Sequence, residues 1–223
     1  MRLFPVPVVA LVLLAACQPP ADWERDLRRN VQLPTKPAPA PAIDQITLEQ
    51  HADGLFHQTG HAGPFTGMDV EPAKNEDGED AADGTVVATP YKDGRIDGPK
   101  TTYSPDGQVR ELRVYANGVA RESVVFYPRS RGGGKKLHVS LNANDCGQGP
   151  FLRWHPNGQL STEATLDEQG KWHGDFKEFA EDGKPSAHYR WDHGRLVGIV
   201  FETPARKALR EKEQPAMKVE PPQ

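Results

Sequence analysis

A pair of histidines and one cysteine are of residue types that could bind a metal ion or act as a nucleophile. His57 and His61 stand four residues apart, the spacing at which a helix presents two metal ligands on one face. Gly60 and Gly63 interrupt that stretch and disfavour a helix, so the pair predicts no metal site. Cys146 has no companion His–Asp pair beside it. We therefore expect it to be either a small buried residue or a free thiol, and not a nucleophile.

An acidic stretch and a basic stretch could bind ions of opposite charge. Residues 71–84 are rich in Asp and Glu. Placing Gly78 or Gly84 at the sixth position of a calcium-binding EF-hand loop puts an alanine where a ligand belongs. Residues 129–136 combine Arg, Gly and Lys without the spacing of a phosphate-binding P-loop or its Ser or Thr. Both stretches predict solvated loops, with binding of a polyanion such as lipopolysaccharide as an alternative for the basic one.

The familiar sequence patterns of catalytic sites are missing. The sequence holds no Gly-x-Ser-x-Gly turn, no His-Glu-x-x-His helix and no paired-carboxylate pattern. We therefore predict that the protein is not an enzyme and uses no catalytic residue, metal or cofactor. Its formal net charge of −4 at pH 7 argues against a nucleic-acid partner, because such proteins present an excess of Lys and Arg.

Residues 1–17 have the layout of a bacterial export signal. Arg2 precedes an apolar run that is too short to cross a bilayer as a helix, and small residues follow it. The Leu-Ala-Ala-Cys ending at Cys17 resembles the lipobox of bacterial lipoproteins. That resemblance implies cleavage before Cys17 and a lipid on its thiol, which would anchor the protein stably in a membrane. Because Gln18 follows Cys17, the resemblance also implies that the protein is sorted to the outer membrane, where it would face the periplasm or the cell surface.

The rest of the chain divides by composition into three parts. Residues 18–50 are rich in Pro and Ala and predict a disordered, extended tether. Residues 51–201 hold every aromatic residue except Phe4 and Trp23, so we expect this span to build the packed domain. Residues 202–223 are highly charged and predict a disordered tail that begins with a short helix.

Residues 149–198 carry one pattern twice, and residues 98–118 carry it once more. Each copy opens with a glycine, at Gly98, Gly149 and Gly174, and has an Asn-Gly or Asp-Gly pair eight residues later. The residue five positions after each opening glycine is aromatic: Tyr103, Trp154 and Phe179. A fixed period of about 24 residues indicates a repeat architecture in which each unit is one supersecondary element.

Each repeat predicts a β-hairpin. Asn-Gly and Asp-Gly supply the two positive φ angles of a two-residue type I′ turn. Such a turn pairs the opening glycine with the residue 17 positions later, as in Gly174 with Trp191, whose large side chain would shield the exposed backbone. The equivalent pairs are Gly98 with Tyr115 and Gly149 with Leu166. We therefore expect an all-β protein, a single-layer antiparallel meander of tandem hairpins. We call Tyr103, Trp154 and Phe179 the five-on aromatics, and we expect them on the face of the sheet opposite to that of the opening glycines.

The repeat resembles a variant of the MORN repeat found in bacterial proteins labelled YwqK-type antitoxins. The resemblance is best in residues 93–118 and 149–198. Residues 171–174, Lys-Trp-His-Gly, are also similar to the MORN signature. The resemblance implies a ladder of β-hairpins used for binding and carries no catalytic residues.

The function expected from these features is non-catalytic binding at the cell envelope. The repeats would form a binding or scaffold surface for another macromolecule, a protein or an envelope polymer. The alternative is an antitoxin or immunity protein that neutralises an envelope toxin. Tyr103, Trp154 and Phe179 are the predicted binding residues, because a ladder of hairpins would repeat them about 10 Å apart and an extended partner could contact them in a row.

Overall fold

The computed structural model describes residues 42–43, 46–75 and 77–213. The predicted signal peptide with Cys17, most of the tether and residues 214–223 lie outside the described residues. None of the helical segments among the described residues has the length and hydrophobicity of a membrane span.

Strands dominate the described residues, which confirms the all-β prediction. The elements are β1 (Leu48–Gln50), β2 (Phe56–Gln58), β3 (Gly67–Pro72), β4 (Val86–Lys92), β5 (Arg95–Ile96), β6 (Gly98–Tyr103), β7 (Val109–Ala116), β8 (Val119–Phe126), a 3₁₀ turn (Arg129–Arg131), β9 (Lys135–Leu141), β10 (Gly147–Trp154), β11 (Leu160–Leu166), β12 (Gly174–Phe179), β13 (Pro185–Asp192), β14 (Arg195–Glu202) and α1 (Pro204–Glu213).

The strands form one long antiparallel sheet. Strands β3 to β14 make a 12-stranded sheet in which neighbours in the sheet are neighbours in the sequence, with only the short β5 off that path. Strands β1 and β2 form a separate two-stranded sheet. Extensive contacts between elements run only between paired strands, so the sheet is a single layer. The predicted meander of hairpins is confirmed.

The short helix at the start of the charged tail is also confirmed. Thr203 follows the last strand, and its hydroxyl oxygen accepts the N–H of Arg206 and caps the first turn of α1. Pro204 takes the first helical position, where its missing N–H leaves no hydrogen bond unmade. Arg210 and Lys212 lie in the last turn, where they complement the helix dipole.

The turns within the repeats differ from the prediction. At Asp182-Gly183, only the glycine has a positive φ, of 80°, and its N–H donates to the carbonyl of Ala180. In the Asp106-Gly107 and Asn157-Gly158 pairs, too, only the glycine has a positive φ. This is a three-residue connection with glycine in the left-handed region, so the predicted type I′ turn at these pairs is wrong. Two consecutive positive φ angles occur between repeats: at Asp93-Gly94, Asn117-Gly118 and His193-Gly194.

The predicted register is nevertheless correct, because a bulge compensates for the longer turn. Phe179 pairs with Pro185, whereas the preceding Glu178 pairs with Ala187, so one residue of β13 is bulged out. That extra residue restores the register that the odd-numbered turn shifts. The predicted glycine pairs are all present: Gly98 with Tyr115, Gly149 with Leu166 and Gly174 with Trp191.

The reason for the opening glycines is their backbone angle. Gly98, Gly149 and Gly174 have φ values of 110°, 77° and 79°, which other residues adopt only with strain. A Cβ atom added at Gly149 or Gly174 would meet nothing within 4 Å, so the backbone angle and not a lack of space favours glycine there. That the paired side chain lies over the glycine stays a prediction.

The buried residues change sides along the sheet. We call the side that carries Gly98, Gly149 and Gly174 the glycine face, and the other side the reverse face. From β3 to β10 most buried residues lie on the reverse face: Val70, Val86, Ala88, Thr101, Val124, Phe126, His138, Leu152 and Trp154. From β11 to β14 they lie on the glycine face: Thr162, Ala164, Leu166, Ala187, Tyr189 and Leu196. Each half of the sheet thus exposes a different face.

Candidate functional site

The five-on aromatics lie on the reverse face, as predicted. The three together do not form the predicted row with a spacing of about 10 Å, because β7, β8 and β9 separate β6 from β10. Tyr103, Trp154 and Phe179 each stand beside a bulge, on the side opposite the opening glycines. The expected exposure is wrong for Trp154, which is only 7% exposed. Tyr103 and Phe179 are half-buried. Their binding role stays a prediction, but Trp154 has little surface to offer a partner.

Trp154 belongs to a buried polar group that stabilises the middle of the sheet. The ammonium of Lys135 lies 5.6 Å from the centre of the indole ring. His138 lies one strand away, with its Nε2 3.1 Å from Oε2 of Glu122. The hydrogen bond from His138 lowers the pKa of the Glu122 carboxyl, and burial lowers the pKa of the Lys135 ammonium. These contacts indicate a structural role for the Trp154 ring.

A cluster of aromatic rings covers the glycine face at the other end of the sheet. Trp172 contacts Phe151 and Phe176 edge to face, with ring centres 4.9 and 5.0 Å apart. Phe176 continues the contacts to Tyr189 and Trp191, each 6.3 Å away. We call these five residues the aromatic run. All except Tyr189 keep partly exposed surface, and the run is the largest group of rings in mutual contact on the described part of the chain.

Helix α1 sits at one end of the aromatic run and is held there by arginine side chains. Arg206 forms two hydrogen bonds with Glu178, one of them 3.0 Å long, and lies 5.9 Å above the ring of Tyr189. Arg210 forms two hydrogen bonds with Glu202, both 3.0 Å long. Such bidentate pairs fix orientation as well as adding energy. The glycine face therefore binds a helical segment of this chain through its acidic and aromatic side chains.

The ionisation of these groups favours the same contact. The bonds from Arg210 lower the pKa of the Glu202 carboxyl, so it stays charged and paired. Burial raises the pKa of the Tyr189 phenol to about 12. The phenol therefore keeps its proton and donates it to Oε2 of Glu202 at 3.2 Å.

A basic cleft of about 390 Å³ lies beside the loop of residues 129–136. Its lining includes the cations Arg110, Arg131 and Lys136 and one carboxylate, Glu111. The three cations are exposed. The cleft opens on the glycine face of the first half of the sheet, away from the aromatic run, because it reaches Thr102, Glu111 and Val125.

Cys146, the second cysteine of the chain, is a free and exposed thiol. Its Sγ lies 3.6 Å from the carbonyl oxygen of Asn144, and its N–H donates to the side chain of Asn142. The residue thus sits in an Asx-type turn between β9 and β10. Of the two alternatives left by the sequence, the structure shows the free thiol.

Among the described residues, one group of side chains could supply three ligand atoms to a metal ion. His173, Asp192 and His193 each offer one atom, and these atoms lie within 4.8 Å of one another. The sequence prediction missed this group, because it sought histidines at helical spacing and not across a strand pair. A signal was present in the repeats: Asp97 and Asn117 stand where His173 and His193 stand 76 residues later.

No protein-family model matches the chain, and no curated protein is significantly similar to it. The resemblance to the MORN-repeat variant therefore stays a prediction.

Proposed function

We propose that this protein is a lipid-anchored binding protein of the bacterial cell envelope. Its glycine face binds a polypeptide segment of another protein, without catalysis. The observation that carries the proposal is the seating of α1 at the end of the aromatic run, where Arg206 pairs with Glu178 and covers Tyr189. A repeat ladder of the MORN-variant type, used as a binding surface, is part of the same proposal.

The contacts of α1 indicate what kind of segment this surface accepts. The helix is highly charged, and its seating depends on two arginines and not on a buried apolar face. Arginine suits such a surface because its planar group can stack on a ring and pair with a carboxylate together. A partner segment that carries arginine beside apolar side chains matches the same chemistry.

The uncovered part of the aromatic run supplies the surface for that partner. Phe151, Trp172 and Phe176 stay partly exposed, although they contact one another edge to face. Rings held in this way lose little conformational freedom on binding, which is why aromatic side chains dominate the energy of protein interfaces. The run crosses β10 and β12, so an extended segment could contact several rings.

The membrane anchor is supported by the sequence alone. The Leu-Ala-Ala-Cys ending provides the small residues and the thiol that lipoprotein processing needs. Substituting Cys17→Ser removes the acceptor atom, so the variant is expected to stay unprocessed and to take up no labelled palmitate. Normal maturation and labelling of the variant would contradict the anchor without affecting the proposed binding surface.

The binding surface is tested by comparing the two faces. Partners are first captured from envelope fractions with the full-length protein in detergent, identified by mass spectrometry and purified for affinity measurements. The glycine-face variant Phe151→Ala with Trp172→Ala should weaken binding by more than about tenfold, the effect expected of interface hot spots. The matched control is the reverse-face variant Tyr103→Ala with Phe179→Ala, which should bind as the wild type does.

Each result of this binding experiment identifies a binding surface, including the results that contradict the proposal. Loss of binding only in the reverse-face variant would support Tyr103 and Phe179 as the binding residues instead. Unchanged binding in both variants would direct attention to the basic cleft, which Arg131→Ala with Lys136→Ala then tests. Circular dichroism must show a folded sheet in every variant. A toxin as the captured partner would identify the antitoxin function.

A further inference from the structure

Two turns meet at the end of the last hairpin and bring two imidazoles together. Gly174 pairs with Trp191, so the preceding His173 lies opposite Asp192 at the point where the strands separate. The N–H of Gly194, in the turn between β13 and β14, donates to the carbonyl of Trp172 at 2.8 Å. The rings of His173 and His193 are consequently 4.7 Å apart.

Two of the three distances between the ligand atoms are close to those of a tetrahedral metal site. Nδ1 of His173 lies 3.5 Å from Oδ1 of Asp192, and Nε2 of His193 lies 3.7 Å from the same oxygen. The third distance, between the two imidazoles, is within 4.8 Å. Zinc bonds of about 2.0–2.1 Å to nitrogen and oxygen require ligand atoms about 3.3–3.5 Å apart in a tetrahedron. The other oxygen of Asp192 faces Arg195, 3.9 Å away.

A fourth side chain orients His193 for this role. Oδ2 of Asp167 lies 2.7 Å from Nδ1 of His193. The other carboxylate oxygen accepts the N–H groups of Gln169 and Lys171 at 2.8 and 2.9 Å, so Asp167 cannot rotate away. Its side chain is only 9% exposed.

The contact with Asp167 decides which ring nitrogen of His193 carries a proton. A carboxylate oxygen 2.7 Å from Nδ1 accepts an N–H there, which leaves the lone pair on Nε2, the nitrogen that lies 3.7 Å from Oδ1 of Asp192. A carboxylate that holds the second nitrogen of a histidine in this way is the usual support of a metal ligand.

The equivalent turn of the earlier repeat has the same backbone but none of these groups. His193 has φ 47° and the corresponding Asn117 has φ 50°, and both precede a glycine with positive φ. Asn and His are both among the residues that accept this left-handed conformation. Ala116 stands where Asp192 stands in the later repeat. The backbone of the turn therefore does not require the imidazole or the carboxylate.

We propose that His173, Asp192 and His193 bind a zinc ion, with Asp167 as the positioning residue of His193. Two imidazoles and one carboxylate suit zinc and related divalent transition metals. Three protein ligands leave one coordination position open to solvent, because all three side chains are exposed. The site lies beside Trp172 of the aromatic run, and it stands independently of the proposed partner binding.

The first test measures zinc binding by calorimetry, with the full-length protein in detergent and zinc as the only ligand. The wild type should bind one ion per chain at this site. His193→Asn and His173→Gln should each remove that binding. Asn retains the turn, as Asn117 shows, so loss of binding in His193→Asn cannot be attributed to a misfolded hairpin. The matched control is His188→Gln on the same hairpin, where His188 pairs with Asp175 instead.

The second test addresses Asp167 through Asp167→Asn. The amide oxygen of Asn can still accept the N–H groups of Gln169 and Lys171, so the turn is kept. Its NH₂ group then faces His193 and favours the proton on Nε2, which blocks the ligand lone pair. Zinc affinity should fall about 10–100-fold, the usual effect of losing such a support. Cobalt, added as a coloured substitute for zinc, should show a weaker tetrahedral absorption band, a signal that turn stability alone does not change.

Two results would overturn the proposal. One is the absence of zinc binding in a folded wild type. The other is zinc binding that His193→Asn and His173→Gln leave unchanged, which would assign the ion to other histidines. Loss in both ligand variants with normal binding in His188→Gln supports the site. An unaltered affinity in Asp167→Asn would remove Asp167 from it.

Discussion

Residues 98–118 and 174–194 are the same hairpin with different side chains. The two copies are 76 residues apart, and their strands pair at equivalent positions throughout. Both have a bulge beside the five-on aromatic, Tyr103 or Phe179, and both end in a two-residue turn with two positive φ angles. The glycines and turn residues that the copies share therefore determine the backbone.

The two copies bury opposite faces. In the first copy, the reverse face carries Thr101 and Leu112, and the equivalent positions of the second copy carry Lys177 and His188. On the glycine face the order is inverted: Lys100 and Arg113 in the first copy correspond to Phe176 and Tyr189 in the second. A single-layer sheet has no fixed inside, so each hairpin buries the face that its neighbours make apolar. The residues that the repeats share therefore determine the backbone, and the remaining positions determine which face is buried.

The largest expected difference concerns the residue opposite the opening glycine. Trp191 packs against Ala187, Tyr189 and Leu196, the core of the last hairpin. Trp191→Ala should therefore reduce the free energy of unfolding by about 2–4 kcal/mol, the low end for a large aromatic because the ring is half-buried. The equivalent Tyr115→Ala should cost about 1 kcal/mol, a typical value for a single substitution. Chemical denaturation measures both.

Hydrogen exchange supplies the control for that comparison. Trp191→Ala should lower the protection of amides in β13 and β14 and leave β6 and β7 unchanged, because the extensive contacts of each strand are with the strands paired to it. Equal losses of stability in the two variants would contradict the inverted burial.

On the reverse face, the first copy should lose more stability than the second when a side chain is truncated. Leu112→Ala should destabilise the protein by about 2 kcal/mol, because its side chain joins the apolar row of the first half of the sheet. His188→Ala at the equivalent position should change the stability by no more than about 0.5 kcal/mol, since it removes only a contact with Asp175. Thermal unfolding of both variants checks this ranking. A larger effect at His188 would show that the second half also has a reverse-face core.

The shared turns predict an equal effect in both copies. Gly118 and Gly194 have φ values of 81° and 83°. Gly118→Ala and Gly194→Ala should therefore each cost about 1 kcal/mol, the strain of a left-handed residue with a side chain. A Cβ at Gly194 would also touch the side chain of Lys171 at 3.4 Å, a flexible group that can move. Denaturation curves that differ by several kcal/mol would contradict the shared backbone.

The smallest expected effects come from the aspartates before the repeat glycines. A hydrogen bond from Ser104 lowers the pKa of Asp106, and one from Lys184 lowers the pKa of Asp182. A lowered folded-state pKa stabilises the protein above about pH 4. This stabilisation is lost as the pH falls through the folded-state value. Asp106→Asn and Asp182→Asn should therefore each flatten the decline of the melting temperature between about pH 5 and pH 3.

High salt should distinguish the stabilising contributions of Asp106 and Asp182. The pair of Lys184 with Asp182 is exposed, so about 1 M NaCl should weaken it by screening. The larger contribution at Asp106 is the bond from the buried and uncharged hydroxyl of Ser104, which salt should leave in place. Melting curves at low and high salt measure this, and equal salt sensitivity of the two contributions would rule out the assigned cause.

The spacing of glycines and turn residues in the sequence predicted the meander and the register of three of its hairpins. Glycines in the left-handed region and Asn-Gly or Asp-Gly turns act within a few residues, so their spacing predicts each hairpin locally. The pairing of Gly174 with Trp191 followed from that spacing, although the turn type at Asp182-Gly183 was wrong. The bulge beside Phe179 corrected the register, because strand pairing aligns the side chains of the whole hairpin.

The tertiary structure decided which face is buried and which distant side chains meet. Trp154 has the same place in its repeat as Phe179, yet Lys135 and neighbouring strands bury it. His173 and His193 meet only because β12 and β13 pair and the following turn folds back on them. Burial and convergence depend on neighbours many residues away, and the hydrophobic effect acts on the whole surface, so the local pattern of one repeat does not contain them.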